Sequence, residues 1–340
     1  MNPAYGAKPE KHKPKPGTDQ HRMHQVSETS LPGHFSGLAR LKLFFALSRT
    51  PHGLLDMCTP AFGALLWLGH FPPVHTIVIG IITTFAGYTA VYALNDVIDY
   101  KSDREKAAKG GFSNTGSDLD SIIIRHPMAQ GLLSFNEGLF WALGWTFLAL
   151  IGAYILNPVC VLIFLCGCAL ETLYCLLWRV SPFRTIVSGA VKTSGALAAV
   201  FAVDPQPAGT YILCLFLLLF FWEIGGQNIP NDGFDVEEDQ RFNARTIPVV
   251  YGIQSANVII VATVILTLIM CVVIFYLSWT IDLIGFIFIC ITLAAGGYLL
   301  LLPALKLYQS RKRSYAMALF NKASYYPAVL LMIVLVKLIF

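Results

Sequence analysis

Asparagine and aspartate recur in one pattern at two places, Asn95-Asp96-x-x-Asp99-x-x-x-Asp103 and Asn231-Asp232-x-x-Asp235-x-x-x-Asp239. On a helix, Asn95, Asp99 and Asp103 stand at i, i+4 and i+8 and share one face, with Asp96 one step round it. Asn231, Asp232, Asp235 and Asp239 repeat the spacing unchanged. Carboxylates crowded on two helix ends repel one another without counter-charge. Mg2+ supplies it, because it takes hard oxygen ligands and is commonly shared between protein carboxylates and phosphate oxygens. Two facing ladders are therefore expected to grip a diphosphate through the metal and make it a competent leaving group. A solvated acidic helix end would account for one ladder alone. The repeat, each time after an apolar run, favours the metal reading.

Arginines for the same anion follow both ladders. Arg125 comes after the first, Arg241 and Arg245 after the second, Arg179 and Arg184 flank a later apolar run, and Arg49 begins the first. The planar guanidinium fork suits phosphate. Arg49, Arg125, Arg179 and Arg245 are the expected anion contacts, with Asn95, Asp96, Asn231 and Asp232 beside them.

The elements that must position these residues are apolar. The chain is 340 residues, 56% hydrophobic and only 13% charged, against about 25% charged in soluble globules. Nine runs approach membrane-spanning length: Gly53–Gly69, Val74–Leu94, Leu139–Leu156, Val159–Leu177, Ile186–Val203, Thr210–Ile229, Ala256–Leu277, Leu283–Leu302 and Tyr325–Phe340. The reading is an all-α, polytopic membrane protein of about nine transmembrane helices, with two pseudo-repeated halves ending in the ladders. Residues 37–340 form its single membrane domain, with cap loops near 100–133 and 230–255. Residues 1–36 form a disordered tail rich in Lys, His and Pro.

Alternate connections carry the basic residues. The tail and the loops Tyr100–Gly138, Trp178–Thr185, Pro230–Ser255 and Pro303–Ser324 hold every Lys and Arg except Lys192 and Lys337. By the positive-inside rule these faces, both ladders and the N-terminus are cytoplasmic. A bacterial plasma membrane is the expected setting. The net charge of +4 reflects this topology rather than a nucleic-acid partner, and no obligate protein partner is expected.

Smaller signals complete the reading. Thr50 and Pro51 suit a helix start, with His52 and Asp56 one turn apart. Ser134 and Glu137 have the spacing of a capping box. Glu105–Asp120 is a lid or a tolerated insertion. Glu171, Lys192 and Glu223 lie within spans and should face the bundle interior, Lys192 neutralising one of the two glutamates or contacting phosphate. The eight cysteines read as small apolar residues.

Both ladders, the run Arg245-Thr246-Ile247-Pro248 near Gly252, and Arg125-His126-Pro127-Met128-Ala129-Gln130-Gly131 together resemble the UbiA superfamily of intramembrane prenyltransferases. The Tyr174 segment differs, with Trp178 where that family has a basic residue. The resemblance implies nine helices around a central cavity open to lipid. It implies Mg2+ held through Asn95, Asp99, Asp103, Asp235 and Asp239, with Asp99, Asp103, Asp235 and Asp239 the catalytic set. It also implies transfer of a prenyl group from a polyprenyl diphosphate to a hydrophobic acceptor, commonly an aromatic ring, within membrane lipid. Phosphoribosyl transfer to a prenyl phosphate and cyclisation of the prenyl chain use the same parts. A transporter built on a parallel repeat is disfavoured, because such sites sit near the bilayer midplane.

Overall fold

The computed structural model describes residues 37–110, 123–279 and 282–339. The expected tail and most of the Glu105–Asp120 insertion lie outside the described residues. Gly37–Phe340 forms one compact unit, and the described secondary structure is helical throughout. The helices are α1 (Leu38–Leu47), α2 (Thr50–Asp56), α3 (Cys58–Leu68), α4 (Val74–Ala108), α5 (Phe135–Leu156), α6 (Pro158–Leu176), α7 (Arg184–Val203) and α8 (Gly209–Trp222). After these come α9 (Ile229–Phe234), α10 (Val236–Arg241), α11 (Ile247–Ser278), α12 (Leu283–Gly296), α13 (Leu302–Ser310), α14 (Arg313–Ser324) and α15 (Tyr326–Ile339). Wider π-helical turns, Glu223–Asn228 and Gly297–Leu301, join α8 to α9 and α12 to α13.

Eight continuous segments among the described residues are long and apolar enough to cross a membrane. The expected first span is instead the broken pair α2–α3. The break at Met57 puts Pro60 in the first turn of α3, where its missing N–H costs no bond. The Thr59 hydroxyl closes the joint by donating to the Asp56 carbonyl at 2.9 Å. Thr50 does not cap α2; its hydroxyl donates to the Phe45 carbonyl at 2.9 Å, and left-handed Arg49 (φ 43°) takes the N-cap position. Ser134 and Glu137 do form the expected capping box.

Both π turns precede a proline, Pro230 or Pro303. Proline cannot donate to the carbonyl four residues earlier, and a locally widened turn accommodates the lost bond. Gly225 and Gly226 let the first π turn approach its neighbours closely: a Cβ on Gly225 would lie 3.0 Å from the Ile260 carbonyl oxygen, and one on Gly226 would lie 3.0 Å from the Ala323 side chain.

The largest core cluster packs Phe62, Leu215, Trp222, Ile260, Phe275 and Leu330 from α3, α8, α11 and α15. Large apolar side chains such as Phe140, Phe147, Leu162 and Leu283 point outward, which suits a bundle whose solvent is hydrocarbon. Two boundaries differ from the sequence reading. The first ladder sits inside α4, which runs unbroken to Ala108 rather than yielding to a loop near Tyr100. The second is not one helix: the backbone leaves helical geometry at Asp235 (φ −94°, ψ 10°), between α9 and α10.

Candidate active site

Each ladder divides by depth in the same way. Asp96 and Asp103 of the first, and Asp232 and Asp239 of the second, are buried. Asn95, Asp99, Asn231 and Asp235 are half-buried. This alternation follows from the pattern, because the residue after each Asn and the last Asp turn toward neighbouring elements.

The buried carboxylates already have partners. His126, in left-handed geometry (φ 48°), puts Nδ1 2.9 Å from Asp103 Oδ2 and 3.2 Å from Asp96 Oδ1. Burial alone would lower the imidazole pKa; Asp103 and Asp96 override it and raise it to about 9. Lys106 lies 3.7 Å from Asp103 and 4.2 Å from the centre of the Trp178 ring. On the second ladder, Arg184 donates to Asp232 Oδ1 at 3.0 Å, and Thr246 donates to Asp239 Oδ2 at 3.2 Å. Asp239 also accepts from the Trp178 side chain. Trp178 therefore joins the ladders: its indole serves the second while Lys106, from the first, covers its face.

Of the half-buried members, Asn95 and Asn231 line a cavity, whereas Asp99 and Asp235 are not among its lining residues. Asp235 is pushed up to about 6 by burial, with Arg125 and Lys106 opposing and Asp239 and Glu238 reinforcing the rise. Asp239 is also raised, first by burial. At Asp235 and Asp239 burial thus outweighs the counter-charge that Arg125, Lys106 and Arg184 supply. Asp232 Oδ2 is buried without a hydrogen-bond partner among the described residues. An oxygen-rich, under-neutralised donor set of this kind fits Mg2+.

Arg49, Arg125, Asn95 and Asn231 line the cavity, of about 480 Å³, which continues down between α2, α3, α4, α6 and α7 past Pro60, Ala64, Ile77 and Phe164. Arg49 lies 3.4 Å from Asn95 Oδ1 and 3.5 Å from Asp96 Oδ1. The Asn95 amide donates to Glu171 at 2.6 Å. Of the other expected anion contacts, Arg179 pairs with Glu105 at 2.8 Å. Arg245 is exposed, its backbone N–H donating to the Trp178 carbonyl at 2.8 Å. Neither is among the cavity residues.

Three partnerships were not anticipated. Arg184, rather than an arginine at the rim, carries the buried ion pair with Asp232. His126 counters two ladder carboxylates; its place next to Pro127 was the only signal for it. Lys192 pairs most closely with Asp56, at 2.6 Å, and only distantly with Glu223, at 3.9 Å.

The sequence profile of the UbiA prenyltransferase family matches residues 57–326. A digeranylgeranylglyceryl phosphate synthase from Thermococcus sibiricus is 26% identical over 234 residues, 67% of this chain and 76% of that protein. One from Thermococcus kodakarensis is 24% identical over 62% of this chain and 69% of its own length. Among solved structures, an Aeropyrum pernix UbiA homolog superposes with a TM-score of 0.65 at 16% identity, covering 85% of this chain and 97% of that one. An Archaeoglobus fulgidus UbiA homolog bound to DMAPP and Mg2+ gives 0.59 at 17% identity, over 82% and 98%. These structural likenesses carry the fold. The relatives are archaeal, so the expected bacterial setting has no support from them.

Proposed function

Because the chain belongs to the UbiA prenyltransferase family, we propose that it moves a prenyl group from a polyprenyl diphosphate onto a lipid-borne acceptor inside the membrane. The observation that carries this reading is that Asn95 and Asn231, which open the two ladders, line one apolar-walled cavity together with Arg49 and Arg125. Asn95, Asp99 and Asp103, with Asp235 and Asp239, are the residues that would hold Mg2+. Bound there, the metal would neutralise the diphosphate and favour its departure. Arg49 and Arg125 lie on the cavity wall where the anion enters, and their guanidinium forks suit its oxygens. Arg184 and His126 hold the buried members of each ladder so that the half-buried members face the ligand. The apolar walls keep water from an electron-poor C1.

The acceptor reading changes from the one the motifs suggested. The curated relatives are named for a glyceryl phosphate carrying two geranylgeranyl chains, which supports a lipid hydroxyl over an aromatic ring carbon as nucleophile. The basic connections support a cytoplasmic diphosphate site. The test is isotopically labelled geranylgeranyl diphosphate with Mg2+, offered to the purified protein with a monoprenyl glyceryl phosphate or with a hydroxybenzoate. Label in a diprenyl glyceryl lipid is expected. Label appearing only in the aromatic product would contradict the acceptor assignment, and no pyrophosphate release would contradict prenyl transfer.

A further inference from the structure

Beneath the ladders the cavity passes a second polar layer that diphosphate binding leaves unused. Asp56 from α2, Tyr92 from α4, Lys192 from α7 and Glu223 from the first π turn all line it. Lys192 Nζ lies 2.6 Å from Asp56 Oδ2, 3.4 Å from the Tyr92 hydroxyl and 3.9 Å from Glu223 Oε2. The Tyr92 hydroxyl donates to Asp56. Ser188 donates to Glu223 Oε1 at 2.7 Å. Glu223 Oε2, on a residue only 6% exposed, has no hydrogen-bond partner among the described residues.

That oxygen is more than Lys192 needs. Asp56, much closer, already neutralises the ammonium, and a buried carboxylate oxygen without a donor is costly. The carboxylates outnumber the ammonium, so the layer repels an anionic headgroup and welcomes a hydrogen-bond donor. Its depth is suitable. Tyr92 lies three residues before Asn95 on α4, about 4.5 Å along the helix axis, close to where C1 would hang from a diphosphate seated at the ladders. A π turn at Glu223 fits the common use of such turns at functional sites.

We propose that Glu223 Oε2 receives the reacting hydroxyl of the acceptor and takes its proton. This rests on the prenyl-transfer reading above. The C1–O bond to diphosphate breaks and its electron pair leaves with the diphosphate. A lone pair on the acceptor oxygen forms the new C1–O bond, and the hydroxyl proton passes to the Glu223 carboxylate. Asp56 and Tyr92 hold Lys192 and act as positioning residues. Any anionic part of the acceptor lies toward the arginine-lined mouth.

The test compares binding of geranylgeraniol with binding of its methyl ether to the purified full chain in detergent, with Mg2+ and pyrophosphate filling the upper site. A hydroxyl donating to a charged acceptor supports a preference of at least about tenfold, so wild-type protein should bind the alcohol at least about tenfold more tightly. E223M should erase the preference. E223Q keeps the side chain's shape but loses its charge, and should reduce the preference at least about threefold. Equal binding of alcohol and ether by wild-type protein, or an undiminished preference in both variants, overturns the proposal. Pyrophosphate release from geranylgeranyl diphosphate, measured on the same wild-type preparation, separates the two readings. Release with no hydroxyl preference rejects the Glu223 assignment and leaves prenyl transfer standing, whereas no release rejects prenyl transfer itself.

Discussion

At the scale of single residues, the site works by dividing labour within each ladder. Asp96, Asp103, Asp232 and Asp239 are buried and each takes a donor from the protein, while Asn95, Asp99, Asn231 and Asp235 remain half-open. Arg184→Ala would leave Asp232 buried without its cation, at a cost of about 3–5 kcal/mol. A lowered thermal midpoint in detergent is expected, and an unchanged one would show that the pair contributes little. His126→Ala would remove the nearest counter-charge from Asp96 and Asp103, leaving Arg49 and Lys106 at longer range. Added Mg2+ should then raise the thermal midpoint more than it does in the unsubstituted protein; an equal rise would mean that imidazole and metal do not share those oxygens. The ladders themselves were legible because their spacing is local and helical. Asp56 and Lys192 are 136 positions apart, and no local rule joins such residues. In the sequence Asp56 already has a candidate partner one turn away in His52, whereas the break after Asp56 turns that carboxylate into the cavity beside Lys192.

At the scale of elements, the departures from the sequence reading have backbone causes. Hydropathy ends the second span near Leu94, yet α4 continues to Ala108 because i, i+4 spacing and good helix formers extend the helix beyond its apolar part. The second ladder breaks at Asp235, which follows Gly233 and Phe234. The two π turns are legible only in retrospect, through the prolines that follow them. Close packing of α7 on α8 depends on Gly189, where an added Cβ would meet the Phe220 ring at 2.6 Å. That ring is itself stacked on Phe216 with centroids 5.4 Å apart. Gly189→Ala should therefore cost about 1–3 kcal/mol, read as a lower thermal midpoint. No loss would show that Phe220 swings aside freely.

At the scale of the whole molecule, fold class was the most legible feature, because a bilayer demands helices of fixed apolar length whatever their partners. The cavity was not legible as a volume: it is bounded by small residues and prolines from several helices, each unremarkable in its own span. The orientation read from the basic connections is an expectation open to direct test. In a cysteine-free background, single cysteines at Arg179 and at Pro207 should react with a membrane-impermeant reagent from opposite sides, Arg179 from the cytoplasm; Arg179 reacting from outside would reverse the reading, and reaction of both from one side would remove the span between them. The account as a whole depends on the two ladders acting together through a divalent cation. The most direct measurement is pyrophosphate released from geranylgeranyl diphosphate by purified protein, with Mg2+ or with EDTA, in the unsubstituted chain, D99A and D235A. The expected result is release that requires Mg2+ and falls at least about a hundredfold in either variant, with both variants still folded. Release that persists in EDTA, or that survives the loss of either aspartate, would contradict it.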